Sequence, residues 1–146
     1  MQDLTATELQ KRLRQAGIQP TLQRMAVASV LLPRPVHRTA EQVLVAARDL
    51  LPDISRATVY AVVQLFVRQG LLKELPIDGE ATVYDSNLSP HHHLYHVDTG
   101  EVSDLPAEQL RVTGLPTLTE GLEMAGVDVI VRVRSSEGRP STGTPS

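Results

Sequence analysis

In the stretch ISRATVYAVVQLFVRQGLL, residues 54–72, the side chains Val59, Val62, Val63, Phe66 and Val67 recur at i, i+3, i+4, i+7 and i+8. Only a helix with one buried stripe satisfies that spacing. Arg56, Tyr60, Gln64 and Arg68 recur every fourth residue on another face, and Gly70 stops the helix. Directly after it come two short apolar segments, LLKEL and ATVYD, joined across PIDG, where Asp78–Gly79 is a strong hairpin-turn signal. A helix that must bury one face and then hand over to a hairpin fits few architectures.

Three helices are predicted upstream. TATELQKRLRQAG opens with Thr5 as N-cap and Glu8 three residues later, a capping box, and has Gly17 past its end. PTLQRMAVASVLLP starts near Thr21 and is closed by Pro33. TAEQVLVAARDLLP carries a second capping box, Thr39 and Gln42, and ends before Pro52. Helices followed by a hairpin are the order of a winged helix-turn-helix.

The downstream half is different. PHHHLYHVDTGEV places four of the five histidines within seven positions. On a strand His91 and His93 share one face, while His92 and His96 share the other. EVSDL reads as the strand paired with this run, with a turn near Asp98–Gly100, and VDVIVRVR alternates as a further strand. LPAEQLRVTGLPTLTEGLEM is interrupted by prolines and glycines that break any long helix, and SSEGRPSTGTPS has the composition of a disordered tail. The fold class expected is α+β: a winged helix-turn-helix over 1–86, a small α/β unit over 87–134, and a tail over 135–146.

Charge divides along the same line. Residues 1–74 hold ten Lys/Arg against six Asp/Glu, whereas residues 75–146 hold four against eleven. A basic half joined to an acidic, histidine-bearing half suits an anion-binding module coupled to a cation-binding one. The chain has no cysteine, which excludes disulfides and thiolate zinc sites. No apolar run approaches the roughly 18–20 residues that span a bilayer, and the N-terminus lacks a signal-peptide pattern, so a cytoplasmic protein with no membrane partner is expected.

The polar stripe of the fourth helix has side chains suited to the major groove of DNA. Arg56 suits a phosphate or a guanine, Tyr60 a thymine methyl, and Ser55 and Thr58 suit phosphates. Arg24 on the second helix is placed to reach the backbone, and Lys11, Arg12 and Arg14 add diffuse attraction. An ordinary amphipathic helix with a solvated face is the competing reading.

GIQPTLQR, ISRATVYAVVQLFVRQGLL, GEATVYD and HHHLYHVDTGEVSDLP, in this order, resemble the ferric uptake regulator family of metal-responsive transcription factors. The stretch from Leu105 to Arg134 is most similar to the iron response regulator (Irr) branch of that family. The resemblance implies a dimer, a DNA-binding first half acting on inverted-repeat operators, and a dimerising, sensing second half. It also implies a regulatory metal site at His37, Asp85, His91, His93 and Asp104, holding Fe²⁺ or Mn²⁺, with Zn²⁺ also accommodated in vitro. Branch likeness adds haem as a ligand, for which His92 and His96 are the available imidazoles.

Three departures from the family pattern stand out. The first pair of a structural zinc site falls on His96 and Thr99, so that site is absent. A histidine used in some second sensory sites is replaced by Gly126, and the residue after the ATVY tyrosine is Ala61. The function expected is an iron- or haem-responsive transcriptional regulator that binds operator DNA as a dimer to control iron and haem homeostasis genes. The alternatives are a manganese- or iron-dependent, or peroxide-sensing, repressor of the same family, and a metal-binding winged-helix module that does not bind DNA. A metal-dependent hydrolase is disfavoured, because no general base accompanies the histidines and the basic helical half would be unexplained.

Overall fold

Each of the four helices begins where a short hydroxyl side chain can accept an otherwise orphaned backbone N–H. The structure, a computed structural model, describes residues 5–77, 82–89 and 91–136. It divides into two compact units, 1–89 and 90–146.

The first unit holds α1 (Ala6–Gln15), α2 (Leu22–Leu31), β1 (His37–Thr39), α3 (Ala40–Leu50), α4 (Arg56–Arg68), β2 (Lys73–Leu75) and β3 (Val83–Asp85). The N-caps are Thr5, Thr21, Thr39 and Ser55, and the expected capping boxes Thr5/Glu8 and Thr39/Gln42 are both formed. Gly70 follows α4 with φ +80°, a left-handed geometry that costs glycine little.

The apolar stripe of α4 supplies the centre of the core. Val59, Val62, Val63 and Phe66 are buried, Val67 is half-buried, and Arg56, Tyr60, Gln64 and Arg68 are exposed. They pack with Leu13, Leu31 and Leu44 from the three preceding helices in one apolar cluster. The wing is a three-stranded antiparallel sheet in the order β1-β3-β2. Its two hairpin arms were expected; the turn at Asp78–Gly79 lies outside the described residues. The strand β1 was not expected, because three residues leading into an N-cap carry no alternation signal.

The second unit holds β4 (His91–His96), β5 (Val102–Pro106), a short 3₁₀ turn (Ala107–Gln109) and β6 (Ile130–Val133). The histidine strand is central: β5 pairs with it antiparallel and β6 parallel, in the order β5-β4-β6. Gly100, at φ +78°, closes the β4–β5 turn, where its N–H donates to the His96 carbonyl at 2.8 Å. Between the 3₁₀ turn and β6 the chain is almost wholly exposed, including Leu115, Leu118, Leu122 and Met124. The segment 135–136 has no regular structure, and 137–146 lies outside the described residues.

Candidate functional site

The wing places one imidazole against one carboxylate. His37 on β1 and Asp85 on β3 are register partners, and His37 Nε2 stands 3.4 Å from Asp85 Oδ2. Two strand ends are clamped beside them by Ser86: its Oγ accepts the Val36 N–H at 2.9 Å and donates to the Arg34 carbonyl at 3.3 Å. The Asp85 side chain is 0% exposed, and a buried carboxylate is costly unless partnered. Its Oδ1 accepts the Asn87 N–H at 2.9 Å, and Lys73 is its register partner on β2.

The second unit builds a matching pair with one more imidazole. His91 and His93 lie on one face of β4, as the period-two reading required. Their rings meet edge to face with centroids 4.6 Å apart. Asp104 on β5 faces His93 in register, and its Oδ1 reaches His91 Nε2 at 3.2 Å. His93 is 0% exposed.

Nitrogen and oxygen ligands about 2.1 Å from one ion stand roughly 3.0–3.4 Å apart at angles between octahedral and tetrahedral. Both His–carboxylate pairs fall in that range, at 3.4 and 3.2 Å. Imidazole and carboxylate without sulfur suit Fe²⁺, Mn²⁺ or Zn²⁺, so the residues fit such an ion.

His92 and His96 occupy the opposite face. His92 is 9% exposed, and its Nδ1 accepts the Val129 N–H at 3.2 Å, which joins β4 to the approach of β6. An accepting Nδ1 leaves the ring proton on Nε2, the nitrogen that an axial iron bond would use. The haem expectation at His92 therefore meets a structural joint. His96 is half-buried, and its backbone is committed to the β4–β5 turn.

The DNA-facing candidates all lie in the first unit. Arg56 and Tyr60 are exposed on α4, and both engage Glu41 of α3: the Arg56 guanidinium pairs with its Oε2, and the Tyr60 hydroxyl donates to the same oxygen at 3.3 Å. Ser55 caps α4, accepting the Thr58 N–H at 3.1 Å and donating to Thr58 Oγ1 at 2.8 Å. Arg24 Nη1 donates to the Gln19 carbonyl at 2.9 Å. Arg12, expected to add diffuse attraction, also donates to the Leu32 carbonyl at 3.0 Å at the end of α2. Its charge serves a helix C-terminus.

Sequence reasoning missed Glu41 and the Gln64–Tyr84 contact. Gln64 Nε2 donates to the Tyr84 hydroxyl at 3.0 Å and ties α4 to the wing. Burial, with the nearby Glu74 charge next, pushes the Tyr84 phenol above its ordinary value, against the opposing pull of the Gln64 bond. These contacts join residues 15 to 20 positions apart, beyond any local signal.

A winged helix-turn-helix is thus followed by a small unit whose sheet carries a His/Asp face, in a chain with no cysteine thiolate to offer. The pattern of the ferric uptake regulator family matches residues 15–131, and the chain belongs to that family. It is 35% identical over 98 residues to the peroxide-responsive repressor PerR of Staphylococcus aureus strain Mu50, covering 67% of this chain and 66% of that protein. The chain thus spans just under two thirds of the length of the curated relatives it matches first, 66%. The ferric uptake regulator of Pseudomonas aeruginosa, solved with manganese, is 28% identical with a TM-score of 0.64, over 87% of this chain and 97% of that one. The Helicobacter pylori ferric uptake regulator shares the fold, at 17% identity and a TM-score of 0.69, over 97% of this chain and 99% of that one. No helix among the described residues is long and apolar enough to cross a membrane.

Proposed function

We propose that this protein is a metal-responsive transcriptional regulator that binds inverted-repeat operator DNA as a homodimer. In this reading His37, Asp85, His91, His93 and Asp104 together hold one Fe²⁺ or Mn²⁺ ion. The observation that carries it is the His91–Asp104 contact of 3.2 Å beside the fully buried His93, matched by a second His–carboxylate pair at 3.4 Å in the wing. The ion, when bound, supplies a positive centre that offsets two carboxylate charges. The protein's own residues do the rest: imidazoles and carboxylates from both units, once drawn to a common ion, restrain one unit against the other. In a dimer such a restraint selects one spacing of the two α4 helices, and half-site spacing on DNA is about one helical turn.

Family membership and the solved manganese-bound relative support a divalent ion as the effector. Haem, suggested by the iron response regulator likeness, is the alternative effector, with His92 and His96 as its imidazoles; the engagement of His92 Nδ1 by the Val129 N–H weighs against His92 as its ligand. A second reading, response to peroxide through the same ion, is favoured by the 35% identity to the Staphylococcus repressor.

The test is operator binding by the purified chain without metal, with Mn²⁺, with Fe²⁺ and with haem, on duplexes enriched from genomic fragments. Binding that requires Mn²⁺ or Fe²⁺ supports the proposal. Loss of binding on adding hydrogen peroxide to the Fe²⁺ form, but not the Mn²⁺ form, supports the second reading. Binding that ignores both metals and responds to haem refutes the assignment of the five ligands.

A further inference from the structure

We infer that Glu41 sets the sequence specificity of the α4 surface by positioning Arg56 and Tyr60, an inference that rests on the DNA-binding reading above. Arg56 and Tyr60 lie one helical turn apart on the exposed stripe of α4. A single oxygen of Glu41, Oε2, receives both the Arg56 guanidinium and the Tyr60 hydroxyl. Both residues offered for base contact are thus held by one acid from another helix.

Folding does not require this acid. The Arg56 and Glu41 side chains are 57% and 50% exposed, and an ion pair so exposed adds little to stability. Glu41 is in the first turn of α3, but the cap there is already made by Thr39 and Gln42. What the carboxylate does is restrict two long side chains to one arrangement. An arginine reads guanine through a planar fork that must enter in one orientation, so restraint before binding favours the matched base. The negative charge also offsets Arg56, lowering its attraction to phosphates of any sequence. Both effects favour cognate over random DNA. Further along the stripe, Gln64 is held by Tyr84 from the wing, so Glu41 controls the amino-terminal end of α4.

The test uses the full chain with Mn²⁺ and two probes: a duplex enriched by the wild-type protein from a random library, and a scrambled duplex of equal composition. Glu41→Ala is expected to lower the enriched-to-scrambled affinity ratio about two- to fivefold, the range that a restraint by so exposed an ion pair can supply, with scrambled affinity unchanged or raised. Glu41→Asp, which keeps the charge but withdraws it by one methylene, lowers the ratio as well. Glu41→Gln keeps an oxygen acceptor and restores part of it. In an Arg56→Ala/Tyr60→Phe background, Glu41→Ala has no further effect. An unchanged ratio in both Glu41→Ala and Glu41→Asp overturns the inference and leaves the DNA-binding reading standing. Equal loss on both duplexes also overturns it, since that marks a merely structural residue. A wild-type protein that enriches no sequence refutes the DNA-binding reading itself, and the inference falls with it.

Discussion

Asp104 stands opposite His93 in the β4–β5 register, yet its carboxylate makes its 3.2 Å contact with His91, two residues along the same face. The diagonal reach puts one acid beside two imidazoles. This follows from strand geometry, because residues i and i+2 share a face and diagonal neighbours lie within reach of long side chains.

Removing the acid should therefore affect metal more than fold. Asp104→Asn keeps a hydrogen-bonding group beside His91 but removes its charge. We expect Mn²⁺ affinity, measured by calorimetry, to fall at least about tenfold, the lower range seen when even a metal's outer partners are changed. Metal-free stability should move by no more than about 0.5 kcal/mol, since the Asp104 side chain is 32% exposed.

Metal should stabilise the native chain by linkage. At about 100 times its Kd, an ion bound only by the folded state adds about 2.7 kcal/mol, which a thermal melt registers as a rise in Tm. The His91→Ala/His93→Ala variant should show no such rise. An equal rise in the variant would place the ion elsewhere.

Arg12 separates a structural cation from an electrostatic one. Because it caps the Leu32 carbonyl, Arg12→Ala should cost about 0.5–1.5 kcal/mol in urea unfolding. The salt dependence of DNA binding should stay as in the native chain. A shallower salt slope with unchanged stability would return Arg12 to the DNA surface.

Tyr84 gives the fold an alkaline limit. Its raised pKa, due first to burial and then to Glu74, means the native state favours the neutral phenol. The associated stability is fully present below the unfolded tyrosine value of about 10 and is lost as pH rises through the higher folded value. Urea unfolding at pH 9 and pH 11 should show that loss in the native chain and a smaller one in Tyr84→Phe. The variant should also lose about 1 kcal/mol at pH 9 with the Gln64 bond.

Local signals in the sequence carried far. Thr5/Glu8 and Thr39/Gln42 form the boxes their spacing implied, and the inward face of α4 is the one its period marked. Alternation also separated His91 and His93 from His92 and His96. Long-range pairings were not legible. His37–Thr39 becomes a strand only because β3 is there to pair with it. Ile130–Val133 was readable as a strand, but its parallel partner β4 was not. Glu41, Gln64 and Arg12 make their contacts 15–20 positions away. A side chain's partner at that distance is decided by tertiary packing, which leaves no trace in composition or period.

The central claim, that the five His and Asp residues couple an ion to DNA binding, is tested most directly by fluorescence anisotropy of an enriched operator duplex titrated with Mn²⁺. The native chain should gain affinity as Mn²⁺ is added, while His91→Ala/His93→Ala should bind at one fixed affinity throughout. The same Mn²⁺ dependence in that variant would contradict the account.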